Sequence, residues 1–187
     1  MNDEKQNDKR SLPIQIFVSY PWPKEEDGKS RGRKDNRWNE LRSLLEAVKK
    51  EVEKRAAQRK PGNRKLDIRV NRLRGLHGQI LLTMLNERID RCDILIADIG
   101  NLDCSFFNSN VLLELGMAIG FGKLESRGVY VFKPKNLPSP SDISGVITTD
   151  YTLKSGALKL EDKRGFTAAL RTRLLELAEQ RGMIEPR

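Results

Sequence analysis

The chain has 187 residues, of which 37% are hydrophobic and 33% charged, and its formal net charge is +9 at pH 7. This length suits one domain with a core of its own, and no apolar run approaches the roughly 20 residues that span a membrane. The beginning of the chain lacks the apolar segment of a secretory signal, so we expect a cytoplasmic protein.

The predicted elements alternate along the chain between short apolar runs and amphipathic helical periods. Their order, β-α-β-α-β-α-β-loop-β-α, indicates a mostly parallel sheet with right-handed crossovers. We predict an α/β fold, a flavodoxin-like three-layer sandwich with a five-stranded sheet, as a single domain over 13–182 between a disordered tail at 1–12 and a tail at 183–187. The predicted strands are 14–19, 66–70, 93–99, 128–133 and 145–149, and the predicted helices are 37–59, 80–89, 110–121 and 166–180.

The positive charge raises the question of a nucleic-acid partner, because clustered Lys and Arg bind phosphate backbones. The basic residues are interleaved with acids, as in EAVKKEVEKRAAQR, and no helix-turn-helix or RNA-binding motif occurs. A solvated surface with many ion pairs is the better interpretation, and attraction of an anionic substrate is a further one. We therefore predict no specific nucleic-acid partner.

The segment 89–123 carries the residues best placed for chemistry. It is predicted to form a strand, a long loop and a helix, and ligands of open α/β sheets bind at the carboxyl ends of strands. Asp98 ends the strand and could orient a ribose hydroxyl or protonate a leaving group, or it could simply form a turn. Glu114 lies about one turn into the helix if Asn110 is the N-cap, and the two share a helix face. The positive helix end favours an ionised carboxylate, which is suited to attack or stabilise an oxocarbenium-like carbon, although Glu114 could merely complement the dipole.

Residues that follow the first two strands should border the same crevice. Ser19 and Tyr20 end the first strand, and Tyr20 could hydrogen-bond Glu114, stack on a base or serve as a rim aromatic. Trp22 could also stack, and Gly78 belongs to the turn after the second strand. We predict two catalytic residues, Glu114 and Asp98, and five substrate-binding residues, Ser19, Tyr20, Trp22, Gly78 and Asn110.

Two glycines, Gly116 and Gly120, lie on one stripe of the predicted helix that carries Glu114. Glycine inside a helix costs about 1 kcal/mol relative to alanine. We therefore expect that either the sheet or a ligand approaches this stripe closely.

Metal and thiol chemistry find little support in the sequence. The chain has two cysteines, Cys92 and Cys104, and a single histidine, His77. These residues make no zinc-binding set, so we predict reduced thiols and no metal.

Several motifs resemble a known superfamily. FVSY at 17–20 is similar to the first strand of TIR domains. CDILIAD at 92–98, followed by NSNVLLELGMAIGFGK at 108–123, resembles the block "D-hydrophobics-AD … NPNVxYELGxAxAxGK" of TIR-like and nucleoside 2-deoxyribosyltransferase-like proteins. PSDISGVIT at 140–148 resembles the segment "PFDLxGxRVI" that closes such domains. The resemblance covers most of residues 13–150.

The resemblance implies a flavodoxin-like fold and cleavage or transfer at the N-glycosidic bond of a nucleoside, a nucleotide or NAD. Many bacterial members serve antiphage defence. The catalytic glutamate of the superfamily carries over to Glu114. Asp98 and Asn110 match motif positions, and Tyr20 matches an aromatic that often ends the first strand in the transferases.

This chain departs from the motif in its loop and at the start of its helix. The loop at 100–109 is longer than usual, Ser109 replaces a proline, and Leu113 stands where an aromatic residue is common. An acid of the transferase loop would fall at Asn108. Its absence weakens transfer more than hydrolysis.

From these features we predict an N-glycosidase that cleaves the base–ribose bond of NAD or a related nucleotide in antiphage defence, with no cofactor. The alternatives are a nucleoside 2-deoxyribosyltransferase or deoxynucleotide N-hydrolase, and a non-catalytic nucleotide-binding or TIR-type assembly module. Because a constantly active NADase would harm its own cell, we expect a homo-oligomer or a partner protein to activate the chain.

Overall fold

The computed structural model describes residues 12–21, 36–72, 79–101, 103–123, 128–139, 146–154 and 157–186. Within them, strands and helices alternate up to the fourth strand, two further strands follow, and a helix closes the fold. The strands are β1 (Ile14–Ser19), β2 (Ile68–Arg72), β3 (Ile94–Asp98), β4 (Val129–Pro134), β5 (Ile147–Lys154) and β6 (Ala157–Leu160), and the helices are α1 (Asn36–Ala57), α2 (Gln79–Arg91), α3 (Ser109–Gly120) and α4 (Lys163–Gln180).

The six strands form one sheet in the order β2-β1-β3-β4-β5-β6, and all neighbours are parallel except β5 and β6. The first five strands follow the order 2-1-3-4-5, which is that of flavodoxin-like folds. The predicted α/β class and mostly parallel sheet are therefore confirmed. The strand order reverses between β1 and β3, and this reversal places a topological switch point at their carboxyl ends.

The predicted number of five strands is wrong, because β6 adds an antiparallel edge strand. It pairs with the second half of β5, from Tyr151↔Leu160 to Lys154↔Ala157. The sequence carried a signal for this hairpin: two short alternating runs, YTLK and ALKL, flank the dipeptide Ser-Gly, which favours a two-residue turn.

Side chains of β1 alternate between two apolar clusters on opposite faces of the sheet. Ile16 and Val18 belong to the cluster that contains α1 and α4, whereas Phe17 belongs to the cluster that contains α2 and α3. Helices thus cover both faces, and strands buried on both faces have nearly continuous apolar sequences. The same alternation directs Ser19 and Tyr20 toward different helices.

The chain after α4 packs into the domain, although we predicted a tail from residue 183 onward. Met183 and Ile184 are buried, and Ile184 forms a bridge with Pro61. Gly62 donates its backbone N–H to the Met183 carbonyl oxygen at 3.1 Å. A Cβ atom at Gly62 would lie 2.1 Å from the Gly182 oxygen, so only glycine permits this approach. The tail predicted at 1–12 lies, except for Leu12, outside the described residues.

Ion pairs join the charged faces of α1 and α4. Glu51 accepts hydrogen bonds from Arg55 at 3.1 Å and from Arg171 at 2.7 Å, and Arg59 pairs with Glu179. Along these two helices, acids therefore offset part of the positive charge. No helix in the described part of the chain is long and apolar enough to cross a membrane.

Candidate functional site

The candidate site lies where β1 and β3 end side by side. The two strands are parallel neighbours, with Ser19 paired to Ala97 in their register. Ser19 is the last residue of β1, and Asp98 is the last residue of β3. The sequence-based expectation that these residues lie at one edge of the sheet is therefore met, and this edge is the switch point.

Glu114 approaches this edge from α3. The helix buries Val111, Leu115 and Ala118 against the sheet, and Glu114 is partly buried beside them. Burial raises the pKa of the Glu114 carboxyl group, and the nearby Ser19 hydroxyl opposes this shift. The effect of burial is the larger of the two, as expected for a carboxylate that loses water.

The Ser19 hydroxyl is buried next to Glu114 but has no hydrogen-bond partner of good geometry. Ser19 is 3% exposed, and its Oγ is among the few buried polar side-chain atoms of the described residues that meet no partner at hydrogen-bond geometry. Buried polar groups are nearly always satisfied. The Ser19 hydroxyl and the Glu114 carboxyl group thus interact without a well-formed hydrogen bond, and a ligand that binds here could complete the hydrogen bonding of both.

The N-cap of α3 is Asn108, and the prediction of Asn110 is wrong. The Asn108 side-chain oxygen accepts from the backbone N–H groups of Asn110 and Val111, each at 3.1 Å. Asn108 is held in place because its own N–H donates to the Ile99 carbonyl oxygen at 2.8 Å. Glu114 is consequently the sixth helical residue, beyond the first turn where the helix dipole acts most strongly. This position explains why burial governs its pKa.

Asp98 is enclosed by hydrogen-bond donors of its own chain. Its carboxylate accepts from the Arg37 guanidinium at 3.3 Å, from the Tyr151 hydroxyl at 2.8 Å and from the Gly100 N–H at 3.2 Å. Asp98 and Arg37 are 4% and 5% exposed. The contact with Gly100 is the turn-forming interaction that we had considered as the alternative to catalysis.

Arg37 and Tyr151 complete this buried network, and sequence reasoning missed both. Arg37 also donates to the Tyr151 hydroxyl at 3.0 Å and to the Asn101 carbonyl oxygen at 3.1 Å. Burial and the nearby Asp98 raise the pKa of Tyr151, which therefore keeps its proton and donates a hydrogen bond to the Asp98 carboxylate. Residues so far apart in sequence carry no local signal of their contact.

Tyr20 lies on the α1 face of the sheet, whereas Ser19 faces α3. The Tyr20 ring stacks on Trp38 with a centroid distance of 5.4 Å, and its hydroxyl accepts from Arg72 at 2.7 Å. The Arg72 guanidinium lies 4.6 Å from the Trp38 ring centroid. Tyr20 thus joins an aromatic and cationic stack at the ends of β1 and β2.

The remaining predicted contacts are only partly described. Asn110 is exposed on the first turn of α3, and Trp22 and Gly78 lie outside the described residues. A Cβ atom at Gly116 or Gly120 would meet no atom of the described residues within 4 Å. The sheet therefore does not approach these glycines. The described residues leave this stripe open, and Leu113 on the same helix is 54% exposed.

The described residues contain no group of three or more His, Cys, Asp and Glu side chains placed to hold a metal ion. Cavities lined by described residues lie under α2, beneath the start of α1 beside Asp98, and between α1, β6 and α4, and Glu114 lines none of these three. The site therefore consists of the partly buried Glu114 carboxyl group and the Ser19 hydroxyl, which lacks a hydrogen-bond partner of good geometry, next to the switch point.

Comparison with known proteins gives no further assignment. No protein-family model matches the chain, and no curated protein matches it.

Proposed function

We propose that this protein is an N-glycosidase that cleaves the base–ribose bond of NAD or a related nucleotide, with Glu114 as the group that faces the anomeric carbon. The observation that carries the proposal is the Glu114 carboxyl group on α3, which lies beside the Ser19 hydroxyl at the carboxyl end of β1. No cation of the described residues forms an ion pair with Glu114, although the carboxylate is partly buried. A buried charge without a partner is costly, and a cationic substrate would supply one.

The proposed reaction uses the attraction between the Glu114 carboxylate and a positively charged substrate. As the bond between C1′ and the base nitrogen breaks, its electron pair stays on the base and positive charge develops on the ribose. The Glu114 carboxylate stabilises this charge or bonds C1′ transiently, and it does so more strongly because little water screens it. Water then forms the new bond to C1′ and releases a proton. Ser19 would donate a hydrogen bond to a ribose hydroxyl.

The surroundings of Asp98 favour NAD over a neutral nucleoside. The nicotinamide of NAD carries a positive charge and leaves as a neutral molecule without accepting a proton. A base that leaves a neutral nucleoside needs a general acid. Asp98 is engaged by Arg37, Tyr151 and Gly100. In this proposal Asp98 positions Arg37 and the loop after β3, and Glu114 is the only carboxyl group of the pair that acts on substrate.

The resemblance of 108–123 to the superfamily block supports the same assignment, because its catalytic glutamate matches Glu114. The antiphage role and the need for activation by self-assembly or a partner protein rest on that resemblance alone. A standing NADase activity would exhaust the cell's own NAD, so we expect turnover per chain to rise with protein concentration or on addition of a partner.

The direct test is release of free base from NAD and from a panel of nucleosides and deoxynucleosides, at several protein concentrations. We expect nicotinamide from NAD and a loss of about 10²–10⁴-fold in Glu114→Gln, the usual range for removal of one catalytic group. Glu87→Gln is the matched control, because Glu87 is exposed on the neighbouring helix α2. Full turnover by Glu114→Gln would disprove the assignment of Glu114.

A non-catalytic nucleotide-binding module is the second candidate. It is favoured by one observation: the cavity beside Asp98, at the same end of the strands, is lined by Arg37 and Asp98 and not by Glu114. Calorimetry with NAD separates the two candidates. Saturable binding without product at any protein concentration would support the module, whereas release of bases only from deoxynucleosides would support the transferase or deoxynucleotide hydrolase.

A further inference from the structure

A separate cavity lies on the α2 face of the sheet, beneath the second half of α2. It has a volume of about 260 Å³, and we call it the α2 cavity. The residues that matter for its chemistry are Gln15, Phe17, Asn71, Arg88, Arg91 and Cys92. Gln15 lies near the amino end of β1, four residues before Ser19. At about 3.3 Å per residue, the cavity is more than 10 Å from the carboxyl end where Glu114 lies.

The floor of the α2 cavity is polar where a parallel sheet is normally apolar. β1 is paired on both sides, and strands of this kind usually carry apolar residues on both faces. Gln15 and Asn71 instead face α2, and the Asn71 amide nitrogen donates to the Gln15 side-chain oxygen at 3.0 Å. This bond fixes the Gln15 amide so that its nitrogen remains available as a donor in the cavity.

The wall of the α2 cavity is cationic. Arg88 and Arg91 are three residues apart on α2, so they project from one side of the helix. Neither has a carboxylate partner within the described residues, whereas Arg55, Arg59 and Arg171 on α1 and α4 are all ion-paired. The cavity therefore combines an amide donor in its floor with two guanidinium groups whose charge this part of the chain does not neutralise.

We propose that the α2 cavity binds a phosphate group, either as the free ion or as part of a small phosphate monoester. Arg88 and Arg91 would hold its oxygens through charge-assisted hydrogen bonds, the bidentate kind that guanidinium groups form with phosphate. The Gln15 amide nitrogen would donate to a further oxygen. Pockets for drug-sized ligands span about 300–1,000 Å³, so this cavity suits a compact anion rather than a dinucleotide. It is a second site, separate from Glu114.

Thermal denaturation and calorimetry with inorganic phosphate at constant ionic strength test this site. We expect a saturable rise of the unfolding midpoint, because a ligand that binds only the folded state stabilises it. Arg88→Ala/Arg91→Ala should weaken phosphate binding at least tenfold. Arg42→Ala/Arg164→Ala removes the same charge from exposed positions on α1 and α4 and should bind as the unchanged protein does.

Asn71→Leu provides a test without a change of charge, since it removes the group that orients the Gln15 amide. It should also weaken phosphate binding, and Arg88→Ala/Arg91→Ala keeps the proposal testable if Asn71→Leu does not fold. Calorimetric titrations with glycerol 3-phosphate and with inorganic phosphate then show whether the ester or the free ion binds more tightly. Equal affinity in all variants, an absence of saturation, or tighter binding of citrate than of either phosphate would overturn the proposal.

Discussion

Asp98 and Glu114 lie at the same edge of the sheet but on opposite faces and in opposite environments. Asp98 lies on the face covered by α1, where a guanidinium, a phenol and a backbone N–H all donate to its carboxylate. Glu114 lies on the face covered by α3, where its neighbour is the Ser19 hydroxyl, which interacts with it without good hydrogen-bond geometry. Both acids lie near the switch point, yet among the described residues only Asp98 has a cation and several hydrogen-bond donors as partners.

This difference separates a carboxylate that maintains the fold from one that is available for chemistry. Removing the partner of a buried ion pair is strongly destabilising, because it leaves a charge without compensation. A buried carboxylate without a partner destabilises the folded state instead, and such sites are typical of function. Removal of a partner of Asp98 should therefore lower the free energy of unfolding, whereas removal of the Glu114 charge should raise it.

The largest effect is expected for Arg37→Ala. It leaves the Asp98 carboxylate buried without its cation, which typically costs about 3–5 kcal/mol in the free energy of unfolding. Urea denaturation measures the loss, and Arg42→Ala, at an exposed position of the same helix, should change stability by less than about 0.5 kcal/mol. If Arg37→Ala were as stable as Arg42→Ala, the Asp98 side would not hold the fold together.

Tyr151→Phe should have the next largest effect. It removes the hydroxyl that donates to Asp98 and accepts from Arg37, so two buried groups lose a partner at a cost of about 1–3 kcal/mol. Tyr130→Phe is the matched control, because Tyr130 is equally buried and its hydroxyl makes no hydrogen bond within the described residues. Equal losses in the two variants would mean that the network adds nothing beyond packing of the rings.

Asn108→Ala tests the support of the Glu114 side. Loss of the N-cap should lower stability by about 1 kcal/mol. Asn110→Ala, two residues further on, should cost less than about 0.5 kcal/mol because Asn110 is exposed. The reverse order in denaturation experiments would restore Asn110 as the cap.

Glu114→Gln should have the smallest effect on stability and the opposite sign. Burial raises the pKa of Glu114 in the folded state above that of the unfolded chain. As the pH rises through this window, the unfolded state binds fewer protons, so stability falls. Glutamine does not titrate, so Glu114→Gln lacks this fall in stability with rising pH.

The variant should therefore match the unchanged protein near pH 4 and become more stable, within about 1 kcal/mol, as the pH approaches 7. Paired denaturation curves across this range measure the difference, with Glu87→Gln as the control. A difference that does not change with pH would show that Glu114 is as well hydrated as an exposed acid.

Local sequence features located the site better than they described its contacts. The apolar run of β1 ends at Ser19, before a tyrosine and a proline, and the predicted bounds agree with the strand found. The general rule for α/β sheets then brought Ser19 and Asp98 to one edge. These features are local or topological, and therefore the sequence carries them.

Other contacts depend on residues that are far apart or chemically equivalent. Arg37 and Asp98 are separated by 61 positions, and no local pattern pairs them. Asn108, Ser109 and Asn110 can all cap a helix, and only the bond from the Asn108 N–H to the Ile99 oxygen decides between them. The alternation that separates Tyr20 from Ser19 was available in the sequence, because successive residues of a strand point to opposite faces.

The open glycine stripe of α3 has a consequence for motion. Gly116 weakens the middle of a short helix, and neither Gly116 nor Gly120 gains contacts with the sheet in return. Helices with few buried contacts open locally without unfolding of the whole domain. The amide hydrogens of α3 should consequently exchange with deuterium faster than those of α4, which buries six residues along its length. Glu114 would then be carried by a helix that can shift relative to Ser19, while the opposite face of the sheet stays closed.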